Sequence, residues 1–187
     1  RQKVWIKEEL DLPISMEIDI DKFVDQKTFS FNITLSQEEA ALFSKLTIFN
    51  TLGDFCFIRQ CIKTGNDNEY VRKSPVNLEE PWKKSLRGKG IDRYKMVEND
   101  LYVKYGGFLA RNWQNKSFYE TPKIAVRETG NQIVATIDLE ERYFLSTLYA
   151  IYPKNEFSIP YLKFILGILN SKFATFFACP VSVVDVI

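Results

Sequence analysis

The sequence predicts an α+β domain, with a twisted, mainly β body and flanking helices that include a C-terminal amphipathic helix. Three observations carry that prediction. Short segments rich in β-branched and aromatic residues, LYVKY, KIAVRE and QIVATID, lie among turn signals at Gly88 and Gly90, Asn99-Asp100, Gly106-Gly107 and Gly130-Asn131. The segment IPYLKFILGILNSKFATFF repeats apolar residues three and four apart. The chain has 187 residues, 45% of them hydrophobic and 14% aromatic, enough for one packed core, and it is read as a single domain over residues 1–187.

The opening segment, VWIKEELDLPISMEIDIDKFV, alternates apolar and polar residues on either side of Pro13 and reads as extended. Ser36 with Glu39 forms a capping box that starts a helix whose apolar side is Leu42, Phe43 and Leu46, and Gly53 is expected to end this unit. FCFIRQCIKTGND reads as a strand running into a Gly-Asn-Asp turn, followed by a loop to about Lys84. FLSTLYAIYP is a further strand, stopped by Pro153. One continuous helix is expected from Pro160 to about Phe177, with Leu162, Ile165, Leu166, Leu169, Phe173 and Phe176 on one face and Lys163, Asn170 and Ser171 on the other.

Charge is unevenly distributed along the chain. The formal net charge is +1, but residues 1–58 carry −4, residues 59–127 carry +7 and residues 128–187 carry −2. A polyanion would meet its field in the middle third. No signal peptide opens the chain, and the apolar stretch from Ser158 to Val184 is broken by Lys163, Asn170, Ser171, Lys172 and Pro180, so no membrane partner is expected. Cys56 and Cys61 would face opposite sides of one strand and could not pair; a reduced, cytoplasmic protein is expected. Arg1 in place of a starting methionine, and the apolar end from Pro180 to Ile187, read as cuts in a longer polypeptide.

Most catalytic chemistry lacks its residues here. The chain has no histidine, which removes imidazole bases, Ser-His and Cys-His nucleophiles and histidine metal ligands. Its cysteines are unclustered, no phosphate-binding loop or dinucleotide fingerprint occurs, and neither a metal nor a cofactor is expected. Asp25-Gln26-Lys27 matches the tail of a nuclease D-x-K, yet no companion acid is placed to share a metal. No catalytic residue is assigned.

Binding chemistry is better supplied. SLRGKGIDRY puts Arg87, Lys89 and Arg93 in a glycine-broken loop that a ligand could approach closely. YGGFLARNWQNKSF offers Arg111, Asn112 and Lys116, with Trp113 read as a packing residue, and PKIAVRETG adds Lys123 and Arg127. Arg and Lys suit phosphates and guanine edges, whereas Asn suits adenine edges. Lys63 and Asn66, at the Gly-Asn-Asp turn, complete the candidate set. Taken singly, each loop could be a solvated turn; three in one basic third point to nucleic acid.

An ordered series of segments resembles the TaqI-like C-terminal specificity domain, the target-recognition module of N6-adenine DNA methyltransferases and combined restriction–modification enzymes. The series runs FIRQCIKTGNDNEYV (57–71), SLRGKGIDRY (85–94), LYVKYGG (101–107), FYETPKIAVRETGNQIVATID (118–138), YFLSTLYAIYP (143–153) and YLKFILGILNSKFATFF (161–177). Gly90 stands where the family usually has an aspartate. The resemblance implies a domain that recognises a short sequence in double-stranded DNA. A covalently linked methyltransferase domain would bind S-adenosylmethionine and modify an adenine in the bacterial parent protein. That catalytic part would carry an N/D-P-P-Y/F motif, and no Pro-Pro pair occurs here, so catalysis is expected elsewhere in the parent. Whether the parent also cuts DNA is left open. The runner-up is a protein–protein module that docks a partner subunit through its terminal helix.

Overall fold

A computed structural model of the chain describes residues 3–6, 16–19, 37–46, 49–73, 81–97, 100–155 and 158–178. The chain divides into two compact units, Arg1–Phe49 and Asn50–Ile187. In the first, strands β1 (Lys3–Ile6) and β2 (Met16–Asp19) pair antiparallel, in register from Lys3 opposite Asp19 to Ile6 opposite Met16. Helix α1 (Gln37–Leu46) carries Lys45 in its last turn, where a cation complements the helix dipole. Leu42, expected on an apolar side, is exposed. The expected capping box, which needs Ser36, falls outside the described residues, as do Pro13 and the Asp25-Gln26-Lys27 tripeptide.

The second unit opens with a one-turn helix, α2 (Leu52–Phe55). Its turn is set by Thr51, whose N–H donates to Asp54 Oδ2 at 2.7 Å while the Asp54 N–H donates back to the Thr51 carbonyl at 3.1 Å. Gly53, expected to end the preceding unit, therefore lies inside this helix, and the boundary falls earlier, after Phe49.

The main sheet combines β3 (Cys56–Gln60), β9 (Lys123–Arg127), β10 (Ala135–Asp138) and β12 (Leu148–Pro153) in the antiparallel order β10-β9-β12-β3. Strand alternation sorts its residues onto two faces. Cys56, Ile124, Val126, Ala135, Tyr149 and Ile151 share one core cluster with Leu162, Ile165, Leu166 and Leu169 of helix α4 (Ile159–Leu169). The opposite face sends Cys61, Ala125, Leu148, Ala150 and Tyr152 into a second cluster with Leu86, Ile91 and Phe144. Cys56 and Cys61 thus lie in different clusters, both buried and unpaired, as the strand periodicity requires.

A smaller sheet has the order β11-β5-β8-β4, from β4 (Val71–Arg72), β5 (Trp82–Leu86), β8 (Leu101–Lys104) and β11 (Tyr143–Phe144), with β11 parallel to β5. The loop expected up to Lys84 gives way to β5 at Trp82. FLSTLYAIYP, expected as one strand, divides between the two sheets. A turn closed by Leu148 N–H to the Leu145 carbonyl (2.9 Å) hands the chain from one sheet to the other. Leu101, Val103, Tyr119, Tyr143 and Leu145 build a third core cluster. A one-turn helix α3 (Asp67–Tyr70) and the hairpin of β6 (Ile91–Asp92) and β7 (Lys95–Met96) complete the β-rich part.

The terminal helix is interrupted. α4 ends at Leu169, and α5 runs from Lys172 to Ala178. Ser158 caps α4 by accepting the Tyr161 N–H, and Ser171 restarts the helix by accepting the Ala174 N–H at 3.0 Å. Asn170, expected on the polar side, is buried at the break, whereas Phe173 and Phe176, expected in the core, are 57% and 40% exposed. The break rotates α5 relative to the predicted single helix, so Ala174 and Phe177 are buried instead.

Candidate nucleic-acid interface

Three segments of the basic third are knitted together by hydrogen bonds. Lys63 and Arg111 form an antiparallel bridge, each backbone N–H donating to the other's carbonyl at 2.9 and 3.0 Å. The Arg87 guanidinium reaches Asp67 at 3.3 Å, and the Thr64 hydroxyl also donates to Asp67. Gly65 makes the tight turn at φ +82°, with Ala110 packed against it. Segments 63–67, 87–89 and 106–118 are joined in this way. Seven of the ten candidates, Lys63, Asn66, Arg87, Lys89, Arg111, Asn112 and Lys116, fall within these segments.

The side chains divide by what they already hold. Lys63, Lys89 and Lys116 are exposed and make no hydrogen bond or ion pair among the described residues; Lys116 sits 6.0 Å from the Tyr105 ring. Asn66 is exposed and donates to Glu69 at 3.3 Å. Asn112 donates to the Gly106 carbonyl at 2.7 Å, and Arg111 donates to the Cys61 carbonyl (3.2 Å) and Gln60 Oε1 (2.6 Å). Both fix loop shape.

SLRGKGIDRY is less open than its glycines suggest. Gly88 and Gly90 are buried in a 3-10 turn, and a Cβ on Gly88 would stand 2.9 Å from the Thr147 carbonyl. The backbone therefore approaches protein there. Arg127 donates to the carbonyls of Gly88 (2.9 Å) and Ile91, pinning the turn onto β9. Arg93 lies apart from the junction, donating to the Ile133 carbonyl (3.1 Å) and the Thr175 hydroxyl (3.2 Å) beside α5.

Lys123 is wholly enclosed. Its ammonium donates to Asp138 Oδ2 (3.1 Å) and to the carbonyls of Tyr119 (2.6 Å) and Thr121 (3.2 Å). Asp138, its cross-strand partner in the β9–β10 register, also takes Arg142 at 2.8 Å. Burial holds the Lys123 ammonium below the usual lysine range, with Asp138 opposing. Here the ammonium meets protein oxygens on every side the hydrogen bonds define, so its role is to neutralise a buried carboxylate.

One basic residue escaped the sequence reading. Arg59 projects from β3 on the same face as Phe57 and Cys61. Its guanidinium lies 4.6 Å from the Trp113 ring centre, 5.4 Å from Phe57 and 5.9 Å from Phe118. Trp113 is held by its indole N–H, which donates to the Gln60 carbonyl at 2.8 Å, and it does pack as expected. Arg59 Nε is buried without a well-aligned hydrogen-bond partner among the described residues, and the guanidinium stands beside the buried Tyr152 hydroxyl. Burial raises the Tyr152 hydroxyl above its ordinary range, with Arg59 nearby pulling it back. The recess they line has room for little more than a water molecule. The sequence signal was an arginine set among Cys, Phe and Ile in FCFIRQC.

Among the described residues no group of three or more His, Cys, Asp or Glu could hold a metal ion, and no helix is long and apolar enough to cross a membrane. Two packed sheets thus carry a junction of donor-rich loops. The chain belongs to the TaqI-like C-terminal specificity domain family, whose match spans residues 83–182. This is a family of specificity rather than catalytic domains, tied to DNA target recognition in restriction–modification proteins. The FIRQCIKTGNDNEYV segment lies before the matched span. No curated protein matches the chain.

Proposed function

We propose that this chain recognises a short sequence in double-stranded DNA and positions a covalently linked catalytic domain on it. The observation that carries the reading is the junction of segments 63–67, 87–89 and 106–118, with unpaired Lys63, Lys89 and Lys116, in a member of a DNA-specificity family. The lysines supply phosphate contacts that set register, and donors such as Asn66 and the Arg87 edge reach bases. Lys123 takes no part, since its ammonium is buried against Asp138. In the bacterial, cytoplasmic parent, the linked domain is an adenine-N6 methyltransferase that binds S-adenosylmethionine and acts on a flipped adenine. The chain itself neither cleaves DNA nor transfers methyl groups. Selection of bound duplexes from a randomised pool tests this: a short enriched motif supports it, and recovery of an unenriched pool contradicts it.

A second reading is favoured by one observation, the exposure of Phe164, Ile168 and Phe173 on α4 and α5. Such a row suits docking against another protein surface. Self-association of the chain, lost on Phe164→Ser, would support a docking module in place of a DNA-recognition one.

A further inference from the structure

We propose that Arg59, held in its aromatic cage, is a seat for a DNA phosphate. The proposal rests on the DNA-recognition reading and adds to it a contact outside the loops. Three basic residues occupy one face of the main sheet: Arg59 on β3, with Lys123 and Arg127 on β9. Lys123 is neutralised by Asp138, and Arg127 is satisfied by the carbonyls of Gly88 and Ile91. Arg59 alone of the three has no carboxylate or carbonyl partner among the described residues, though the Tyr152 hydroxyl stands beside it. A half-buried guanidinium needs compensation, since desolvating a charge without hydrogen bonds is costly. The rings of Trp113 and Phe57 supply part of it through cation–π attraction and the Tyr152 hydroxyl a further part, but no anion faces the guanidinium among the described residues.

The site is also oriented. Gln60, the next residue, holds Arg111 through its side chain and Trp113 through its carbonyl, so the cage is tied to the 106–118 loop. Phosphates are the outermost acceptors of a duplex, whereas base edges lie deep in the grooves. Because the recess behind Arg59 has room for little more than a water molecule, the phosphate meets the outer edge of the half-exposed guanidinium instead of entering the recess. Preorganisation by the cage limits the side-chain entropy lost when the anion arrives.

The test is a salt titration of binding to a mixed-sequence duplex by the full chain, Arg59→Met and Arg59→Lys, with melting curves of each. Arg59→Met should leave melting little changed, weaken binding about tenfold near 0.1 M salt and lower the slope of log affinity against log salt by about one. Arg59→Lys should recover most of both, because a phosphate accepts a point charge. If Arg59→Met keeps the full slope while the unaltered chain binds normally, the phosphate seat is wrong and the DNA reading stands. A loss that lysine does not recover, or that appears only on a selected target sequence, marks a base contact and overturns the seat. Absence of binding by the unaltered chain overturns both. Should Arg59→Met fail to fold, inorganic phosphate decides: it should change the indole emission of the unaltered chain and not that of Trp113→Phe, and no change rejects the seat.

Discussion

The Asn170 side chain acts as a strand partner for Ala135. Its Oδ1 accepts the Ala135 N–H and its Nδ2 donates to the Ala135 carbonyl, both at 2.9 Å, and both groups are buried. The backbone at the outer edge of β10 is thereby satisfied by one amide at the end of α4, which also ties the helix to the sheet. The Asn170–Ser171 pair that interrupts the terminal helix is thus a structural clamp.

Replacing Asn170 with Leu removes both bonds and leaves the Ala135 N–H without that partner. A loss of about 2–4 kcal/mol is expected, measurable by urea unfolding. Serine at 171, by contrast, can be changed to Thr with little loss, because the capping oxygen remains.

Lys123→Met should cost about 3–5 kcal/mol, since Asp138 loses one of its two buried cationic partners. In a variant that still folds, the salt slope of DNA binding should be unchanged. A slope reduced by about one would return Lys123 to the interface.

Glu140 bridges Lys84 at 3.0 Å and Arg142 at 2.7 Å, and those bonds hold its carboxyl below the usual glutamate range. A carboxylate lowered in the folded state stabilises it above the unfolded pKa, and that contribution fades as pH falls through the folded value. Glu140→Gln should therefore lower the melting temperature slightly at neutral pH, and the difference should shrink as pH drops below the ordinary glutamate value of 4.5. A gap that widens in acid would contradict this.

Cys56 and Cys61 are buried, and burial pushes the Cys61 thiol up to about 12. Neither should react with iodoacetamide at pH 8 in the folded protein, and both should react in denaturant. Mass spectrometry of tryptic peptides reads the result directly.

The mainly β body, the Cys56/Cys61 facing and the buried stripe of α4 were legible because periods of 2 and 3.6 report burial locally. The break at Asn170 was not, because it depends on a bond to Ala135, thirty-five positions earlier. The transfer of FLSTLYAIYP between sheets is likewise a long-range choice, set by pairing with Ser85 and Leu86. Among the candidate residues, composition could find the basic loops but could not separate an open lysine such as Lys89 from an enclosed one such as Lys123. That distinction turns on Asp138, which lies outside every basic segment. Arg59 was hidden for the opposite reason, being a lone charge inside an apolar strand.

The most direct measurement of the central claim is the salt dependence of duplex DNA binding by the chain and by a Lys63→Gln, Lys89→Gln, Lys116→Gln triple variant. Affinity should fall steeply as salt rises from about 0.05 to 0.2 M, and the variant, with unchanged melting, should show a slope lower by about two to three. No binding at low salt, or equal slopes for the two proteins, would contradict a DNA interface built on these lysines.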